Sequence, residues 1–492
     1  MRAPTVTDRE AIVQVRARAA QLFRAFTAKL TTLGERDRNC LVLIAITVVA
    51  SMALQWRSLI NSDAAFLAWT ARQVMGPAVF GVDIYEVNPP LAFMLYSPAA
   101  FVAPVLGFDL AIKLWISLLA GLSIACVWNT AGRSLRMAVA LMLSLFFLLG
   151  FPAAFGQREF FAFLLCAPYV AGNSPRRGWA VLSGVMAGVG FAIKPHFLIA
   201  LVLVFATRRK IRAEEIAIAA TGAVYAAVIL IFFQPYLFEF LPYAVPSYGA
   251  VYESNDQVVW LSAIIAMSVL PQAIGGAPQP AARGYLMAAI GFTLAVIIQN
   301  KGFTYHFIPA WGFLTLFLVA RLFNARLFTA VVASLFLLGN AALFGWISSG
   351  WFYEKDTTAV SVRLLLKELD TSSSFLALSF SSLPAFPAAL YTRSEYVGKS
   401  FYPIYLKTVK RMDAGEIPGD PSEAMRLSLE QALSELARKP EIIIVPVSPK
   451  AARGQISRDV LSLLSRNRAY DVFWKTYVLE KTVDKYQIYR RR

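Results

Sequence analysis

Leu91-Ala-Phe-Met-Leu-Tyr-Ser-Pro98-Ala-Ala-Phe-Val-Ala-Pro104-Val-Leu-Gly107 is the segment on which the orientation of the whole chain turns. It is apolar enough to cross a bilayer. Pro98 and Pro104, however, would interrupt the helix that a crossing requires, because proline removes a backbone donor and clashes with the preceding turn. Charge decides between the two readings. If the segment lies along the membrane–water boundary without crossing, then Arg133, Arg136, Arg176, Arg177, Arg208, Arg209, Lys210, Arg212, Arg283, Arg321 and Arg326 all fall in cytoplasmic loops. If it crosses, every one of them moves outside, against the excess of Lys and Arg that cytoplasmic loops carry. The non-crossing reading wins.

Composition sets the class. Of 492 residues 58% are hydrophobic and only 16% charged, with a mean hydropathy of +0.56. A soluble chain of this length would carry more charge, so the expectation is a polytopic membrane protein. A net charge of +17 could suggest nucleic acid. Here the basic residues sit in short loops between apolar runs, which is an orientation signal, and no nucleic-acid partner is expected. Cys40, Cys126 and Cys166 lie in apolar segments, where cysteine behaves as a small hydrophobe; neither a disulfide framework nor a metal cluster follows from them.

A span needs about 20 mostly apolar residues. The segments expected to cross are 39–57, 109–131, 137–154, 160–172, 179–193, 197–207, 216–233, 258–272, 284–299, 306–320 and 327–347. The fold expected is therefore an α-helical polytopic membrane protein of about 11 transmembrane helices, with juxtamembrane helices in the first outer loop and a small C-terminal α/β extracytoplasmic domain. Residues 1–38 form a basic N-terminal region, helical over 10–37 on the anionic cytoplasmic surface or else a disordered tail. Residues 39–347 form the transmembrane domain, with its first outer loop at 58–108. Residues 348–492 alternate between helix-like runs (357–369, 422–438, 457–466) and strand-like runs (374–380, 441–446, 471–479, 485–490).

This topology places few basic residues on the outer side, and those few form a pattern. Asp63, in Asn61-Ser62-Asp63, directly follows the first span. Arg158 and Glu159 lie in Gly156-Gln-Arg-Glu159, Lys194 and His196 in Lys194-Pro-His196, and Lys301, Tyr305 and His306 in Lys301-Gly-Phe-Thr-Tyr-His306. Ionisable groups at membrane depth are expensive and usually face a cavity or a partner. Gathered on one side, Arg158, Lys194, His196, Lys301 and His306 suit a phosphate or pyrophosphate. Taken singly, each has a plainer role: the lysines as snorkelling anchors, Arg158–Glu159 as a local ion pair, Tyr305 as part of an interfacial aromatic belt. Asp63 could cap a helix starting at Ala64, since Asp is a favoured N-cap. It could equally act as general base for an acceptor hydroxyl. Asp83, Glu86 and Asn88 lie further along the same loop, ahead of Pro89-Pro90, and are placed to contact acceptor or sugar. Asp63 with Asp83 and Glu86 is a weak divalent-cation site, because three carboxylates on a loop lack tight spacing.

The arrangement resembles the GT-C superfamily of membrane glycosyltransferases, which includes protein O-mannosyltransferases, lipid A aminoarabinose transferases and mycobacterial arabinosyltransferases. The resemblance rests on Asp63 after the first span, the long first loop with Asp83-Ile-Tyr85 and Asn88-Pro-Pro-Leu91, and the three later motifs just quoted, and it covers about residues 39–345. It implies an enzyme of the bacterial inner membrane, with a cytoplasmic N-terminus and a periplasmic C-terminal domain. That enzyme would move a sugar from a polyprenyl-phosphate donor to a cell-envelope glycan, lipid or protein acceptor. Asp63 would be the base, and Arg158, Lys194, His196, Lys301 and His306 would hold the donor phosphate. Asp83, Glu86, Asn88, Glu159 and Tyr305 would contact acceptor or sugar. Ala64 stands where protein O-mannosyltransferases have a second acidic residue, and Asn88 where the aminoarabinose enzymes have Lys, so neither substrate is assigned. The rival functions are a transporter or flippase of lipid-linked saccharides, expected to show inverted repeats and charges near the midplane, a polymerase or ligase using a pyrophosphate-linked donor, and a non-catalytic assembly subunit.

Overall fold

The computed structural model describes residues 34–245, 263, 280–322 and 357–492, except 173, 209, 243, 300, 302, 371, 380–381, 402–403, 414, 416–420, 447–459 and 466. The N-terminal helix expected over 10–37 falls almost wholly outside the described residues, as do the spans expected at 258–272 and 327–347 and the boundary at 347. Within the described residues the chain is mostly helical with a small C-terminal sheet.

Four helices among the described residues are long and apolar enough to cross a membrane: Glu35–Gln55 (α1), Phe108–Thr130, Ala213–Phe232 and Ala282–Gln299. Helices also occupy the other described segments expected to span, at Arg136–Leu149, Arg158–Ala171, Arg177–Ala192, Leu198–Arg208 and Ile308–Leu322. These are 11 to 16 residues long. At 1.5 Å per residue they reach roughly 17–24 Å, short of a hydrocarbon core of about 30 Å. The helices at 177–192 and 213–232 approach closely through Gly184 and Gly188, where a Cβ would run into the Glu214 backbone or the Thr221 side chain. Small residues four apart are the usual means of bringing apolar helices together without a water-driven force.

The segment 91–107 forms one turn, Leu91–Met94, and then the helix Ser97–Leu106 (α3, after α2 at Ser62–Val74). Ten residues rise only about 15 Å, so α3 cannot cross a bilayer by itself. Pro98 sits in its first turn, where no intrahelical donor is lost, and Pro104 falls in its last. Trp115 Nε1 donates to the Leu95 carbonyl at 2.8 Å, and the Leu91 amide donates to the Tyr225 hydroxyl at 3.1 Å. Phe101 (72% exposed) and Val105 (86% exposed) face away from the protein.

The middle of the first loop, residues 81–87, is held against residues 236–240. The Tyr236 hydroxyl donates to the Val87 carbonyl at 3.0 Å, and Tyr85 stacks on Phe240 with centroids 5.1 Å apart. Gly81 has φ +94°, and a Cβ there would lie 2.6 Å from the Tyr236 backbone, so only glycine fits.

The C-terminal sheet has strand order β2-β1-β3-β5-β4, with β1 Ser374–Ala377, β2 Glu395–Tyr396, β3 Ile442–Pro446, β4 Tyr477–Val483 and β5 Tyr486–Arg491. β1 pairs parallel with β2 and β3, while β5 pairs antiparallel with β3 and β4. The strand expected over 471–479 is corrected. Arg468–Trp474 is helical, capped by Asn467, whose side chain accepts from the Ala469 amide at 2.8 Å, and the strand begins only at Tyr477. The helix Ile404–Asp413 and the two-residue β2 are elements that the sequence pattern does not mark.

This module docks on α2. Phe66 and Trp69 of α2 meet Phe386 at 5.1 and 5.6 Å between ring centroids, and Trp69 meets Tyr396 at 5.6 Å. The Tyr391 hydroxyl accepts from the Ile60 amide at 2.9 Å. The Tyr85 amide donates to the Lys399 carbonyl at 2.7 Å, which adds loop backbone to the module. Phe386 is fully buried, so Phe386→Ala is expected to cost about 3–5 kcal/mol. Thermal unfolding in detergent, followed by tryptophan fluorescence, checks this.

Candidate functional site

The N-terminus of α2 organises the site. Asn61 is the N-cap, its side chain accepting from the Asp63 amide at 3.0 Å. Asp63 is therefore not the cap of a helix beginning at Ala64; it sits inside the first turn of α2, partly buried, where the positive end of the helix favours a carboxylate. With capping done by Asn61, the Asp63 carboxylate is left to its own partners.

One of those partners comes from the chain entering the helix Arg158–Ala171. Gln157 Nε2 donates to Asp63 Oδ2 at 2.9 Å and to Asn61 Oδ1 at 2.8 Å. The approach depends on Gly156, whose φ is +83° and whose missing Cβ would lie 2.9 Å from the Ile116 side chain and 3.4 Å from the Ala64 Cβ. The Tyr96 hydroxyl donates to the Gly156 carbonyl. The loop segment 91–96, the turn at 156–157 and the start of α2 are thus joined in one chain of contacts.

Behind this corner lies a buried polar network. Glu159, fully buried, accepts from Lys194 Nζ at 2.6 Å. Lys194 also donates to Gln299 Oε1 at 3.3 Å. His306 Nε2 stands 3.7 Å from Glu159 Oε1 and 3.5 Å from Gln299 Nε2. Tyr305 packs edge-on against the His306 ring at 4.5 Å, and Lys301 is buried within electrostatic range of it. Arg158 is buried at the first position of its helix, within electrostatic range of Glu86, Tyr96, Lys194 and His306.

Glu86 belongs to the same neighbourhood. It is buried and accepts from the Asn88 amide at 2.7 Å and from the Asn88 side chain. Burial pushes its carboxyl up from the ordinary range, opposed by Arg158 and the Asn88 hydrogen bonds and reinforced by Asp63. Burial pushes the Lys194 ammonium down, opposed chiefly by Glu159. Burial and Lys194 together push His196 down to about 4, so its imidazole is neutral near pH 7 and offers a hydrogen bond rather than a charge.

The residues expected to act together are not all placed alike. Asp63, Glu86, Arg158, Glu159 and Lys194 share one electrostatic neighbourhood, and His196, Lys301, Tyr305 and His306 adjoin it. Asp83 is used elsewhere: its Oδ2 accepts from the Val79 amide at 2.9 Å, and its Oδ1 lies 4.0 Å from Arg438 of the C-terminal module. Among the described residues no group of three or more His, Cys, Asp or Glu side chains is placed to hold a metal ion. Gln157 is the member that sequence reasoning misses, because an amide carries no charge to mark it. Its position between a glycine and a helix-starting arginine is the available signal. A scan against protein-family models finds no match for the chain, and a search of curated proteins finds none.

Two outcomes follow from the network. Glu159→Gln leaves the Lys194 ammonium buried beside a neutral group and is expected to cost about 3–5 kcal/mol, whereas adding Lys194→Met recovers most of that loss. Chemical or thermal unfolding of both variants in detergent checks the pair. For His196 the sign is set by its folded value of about 4 against an ordinary 6.5. Between those values the unfolded chain binds more protons, so stability falls as pH drops from 6.5 toward 4. Melting temperatures across that range should fall less steeply in His196→Gln than in the parent.

Proposed function

We propose that this chain is a GT-C-type membrane glycosyltransferase that takes a sugar from a polyprenyl-phosphate donor and transfers it to a hydroxyl of a cell-envelope acceptor. In this proposal the chain spans the bacterial inner membrane about 11 times. Its N-terminus is cytoplasmic, and its Asp63 corner and C-terminal module are periplasmic. The observation that carries the proposal is the partly buried Asp63 carboxylate in one electrostatic neighbourhood with buried Arg158 and Lys194, with buried Lys301 adjoining through His306, at one end of an apolar helix bundle. The opposite ends of the same helices carry Arg133, Arg136, Arg176, Arg177, Lys210 and Arg212, which supports the orientation.

The chemistry is a single displacement. Asp63 accepts the proton of the acceptor hydroxyl as its oxygen forms a bond to the anomeric carbon. The bond from that carbon to the donor phosphate oxygen breaks on the opposite side, and the electron pair leaves with the phosphate. The phosphodiester thereby becomes a lipid phosphomonoester of higher negative charge, and the configuration inverts. Arg158 and Lys301 stabilise this developing charge from a dry, fixed position, where electrostatic help is strongest. Lys194 contributes through the same field, with Glu159 holding it in place. His196 and His306 serve as neutral hydrogen-bond partners. Asn88 and Glu86 shape the loop wall on the acceptor side, and Tyr305 lies on the donor side.

A carboxylate general base typically supplies about 10²–10⁴-fold in rate. Asp63→Asn should therefore lose at least about 100-fold of transfer from a panel of polyprenyl-phosphate sugars, scored by release of lipid phosphate, while expressing and melting normally. Full transfer by that variant removes the central assignment.

A further inference from the structure

We propose that Gln157 is a positioning residue for Asp63, holding its carboxylate in the one orientation from which it can receive the acceptor proton; this rests on the assignment of Asp63 as the base. The geometry admits one arrangement of the amides. Asn61 must present Oδ1 to the Asp63 amide in order to cap α2. Its Nδ2 then turns toward the Ala153 carbonyl, at 3.4 Å. Gln157 therefore faces two acceptors, Asn61 Oδ1 and Asp63 Oδ2, and only its NH₂ can satisfy both. Turned the other way, its carbonyl would oppose two oxygens.

The cost of this orientation falls on the other end of the amide. Gln157 is 1% exposed, and its Oε1 has no hydrogen-bond partner among the described residues. A leucine of similar size would fill the same space without a stranded carbonyl, so glutamine is here for the two oxygens its NH₂ meets, the Asn61 cap and the Asp63 carboxylate, and not for filling space. What glutamine supplies is a neutral donor. A lysine or arginine would also orient the carboxylate, but an ion pair favours its charged form and weakens it as a base. The amide fixes direction with less loss of basicity.

The supports behind Gln157 point the same way. Gly156 allows the chain to lie against Ala64, the neighbour of Asp63, and the Tyr96 hydroxyl pins the Gly156 carbonyl. Three separate segments therefore converge to place one NH₂ group against one carboxylate oxygen.

The test uses purified full-length protein carrying Gln157→Leu or Gln157→Glu. With ¹³C-labelled aspartate, the carboxylate stretching band of Asp63 is assigned by its loss in Asp63→Asn. That band is expected to shift in Gln157→Leu, because a hydrogen bond to one oxygen is gone. In the transfer assay Gln157→Leu is expected to lower kcat about 10–100-fold with the donor KM within about twofold, the signature of a misaligned catalytic group. Gln157→Glu places a second carboxylate beside Asp63 and should move the acid limb of the pH–rate profile up by about one unit or more. It preserves the side-chain shape, so it decides the case if the leucine variant does not fold. An unmoved band in Gln157→Leu, or a parental kcat and acid limb in Gln157→Glu, overturns the positioning role. If Asp63→Asn is inactive while both Gln157 variants behave like the parent, only that role falls. Full transfer by Asp63→Asn overturns both it and the catalytic assignment.

Discussion

A carboxylate with no access to solvent must find partners for its oxygens inside the protein, and Glu159 has Lys194 at 2.6 Å. This pair is the constraint around which one end of the helix bundle is arranged. Glu159 belongs to the first turn of the helix Arg158–Ala171, Lys194 to the turn after Arg177–Ala192, and Gln299, the next partner of Lys194, to the end of Pro280–Gln299. His306, in the turn before Ile308–Leu322, completes the contact. Four chain segments thus meet through groups that none of them could bury alone. A pair of this kind contributes little net stability against an apolar replacement, but it penalises every arrangement in which one partner is missing. Its value is in register. It sets the depth at which each helix ends, and with it the level of Arg158 and Lys301.

The Asn61–Asp63 corner is held from the other side by a different kind of force. α2 turns its aromatic face, Phe66 and Trp69, into the C-terminal module, and its first turn toward Gln157. Apolar burial fixes where the helix lies, and hydrogen bonds fix how its first turn is directed. The loop at 79–90 repeats the division, with Tyr85 stacked on Phe240 and its backbone amide paired to Lys399. Polar precision at the site is possible because aromatic packing has already removed most of the freedom of the elements that carry it.

The helices are legible in the sequence because apolar runs bounded by arginine loops leave few alternatives for a backbone that must satisfy itself. The break in 91–107 falls at Leu95 and Tyr96, between Leu91–Met94 and α3, and not at the prolines: α3 takes in both Pro98, in its first turn where no intrahelical donor is lost, and Pro104 near its end. The charged members of the site are legible too, since charge is conspicuous among apolar neighbours. Other features are not. Asn61 rather than Asp63 caps α2, a choice between two good capping residues that only the geometry settles. Asp83 serves the loop and Arg438, because neighbours in sequence on a loop need not face the same way. Gln157 joins Asp63 across 94 positions of sequence, and neither residue announces the other. In the C-terminal module, the aromatic residues over 471–474 read as strand, while the Asn467 cap makes them helix.

The docking of α2 on residues near Phe386 also has a consequence in time. Ser62 and Ser382, hydrogen-bonded to one another, are 320 residues apart. At a synthesis rate of about 5–20 residues per second, roughly 16–64 s pass between the emergence of the two. Throughout that interval the aromatic face of α2 has no partner from the module, and the Asn61–Asp63 corner lacks one of the surfaces that hold it. The hydrogen bonds of the corner itself, to Asn61 and Gln157, need nothing later than residue 157, whereas those of Ile60 and Ser62 wait for the module. A chain cut short before the module therefore carries every charged residue of the site while leaving Phe66 and Trp69 of α2 without the aromatic partners that cover them.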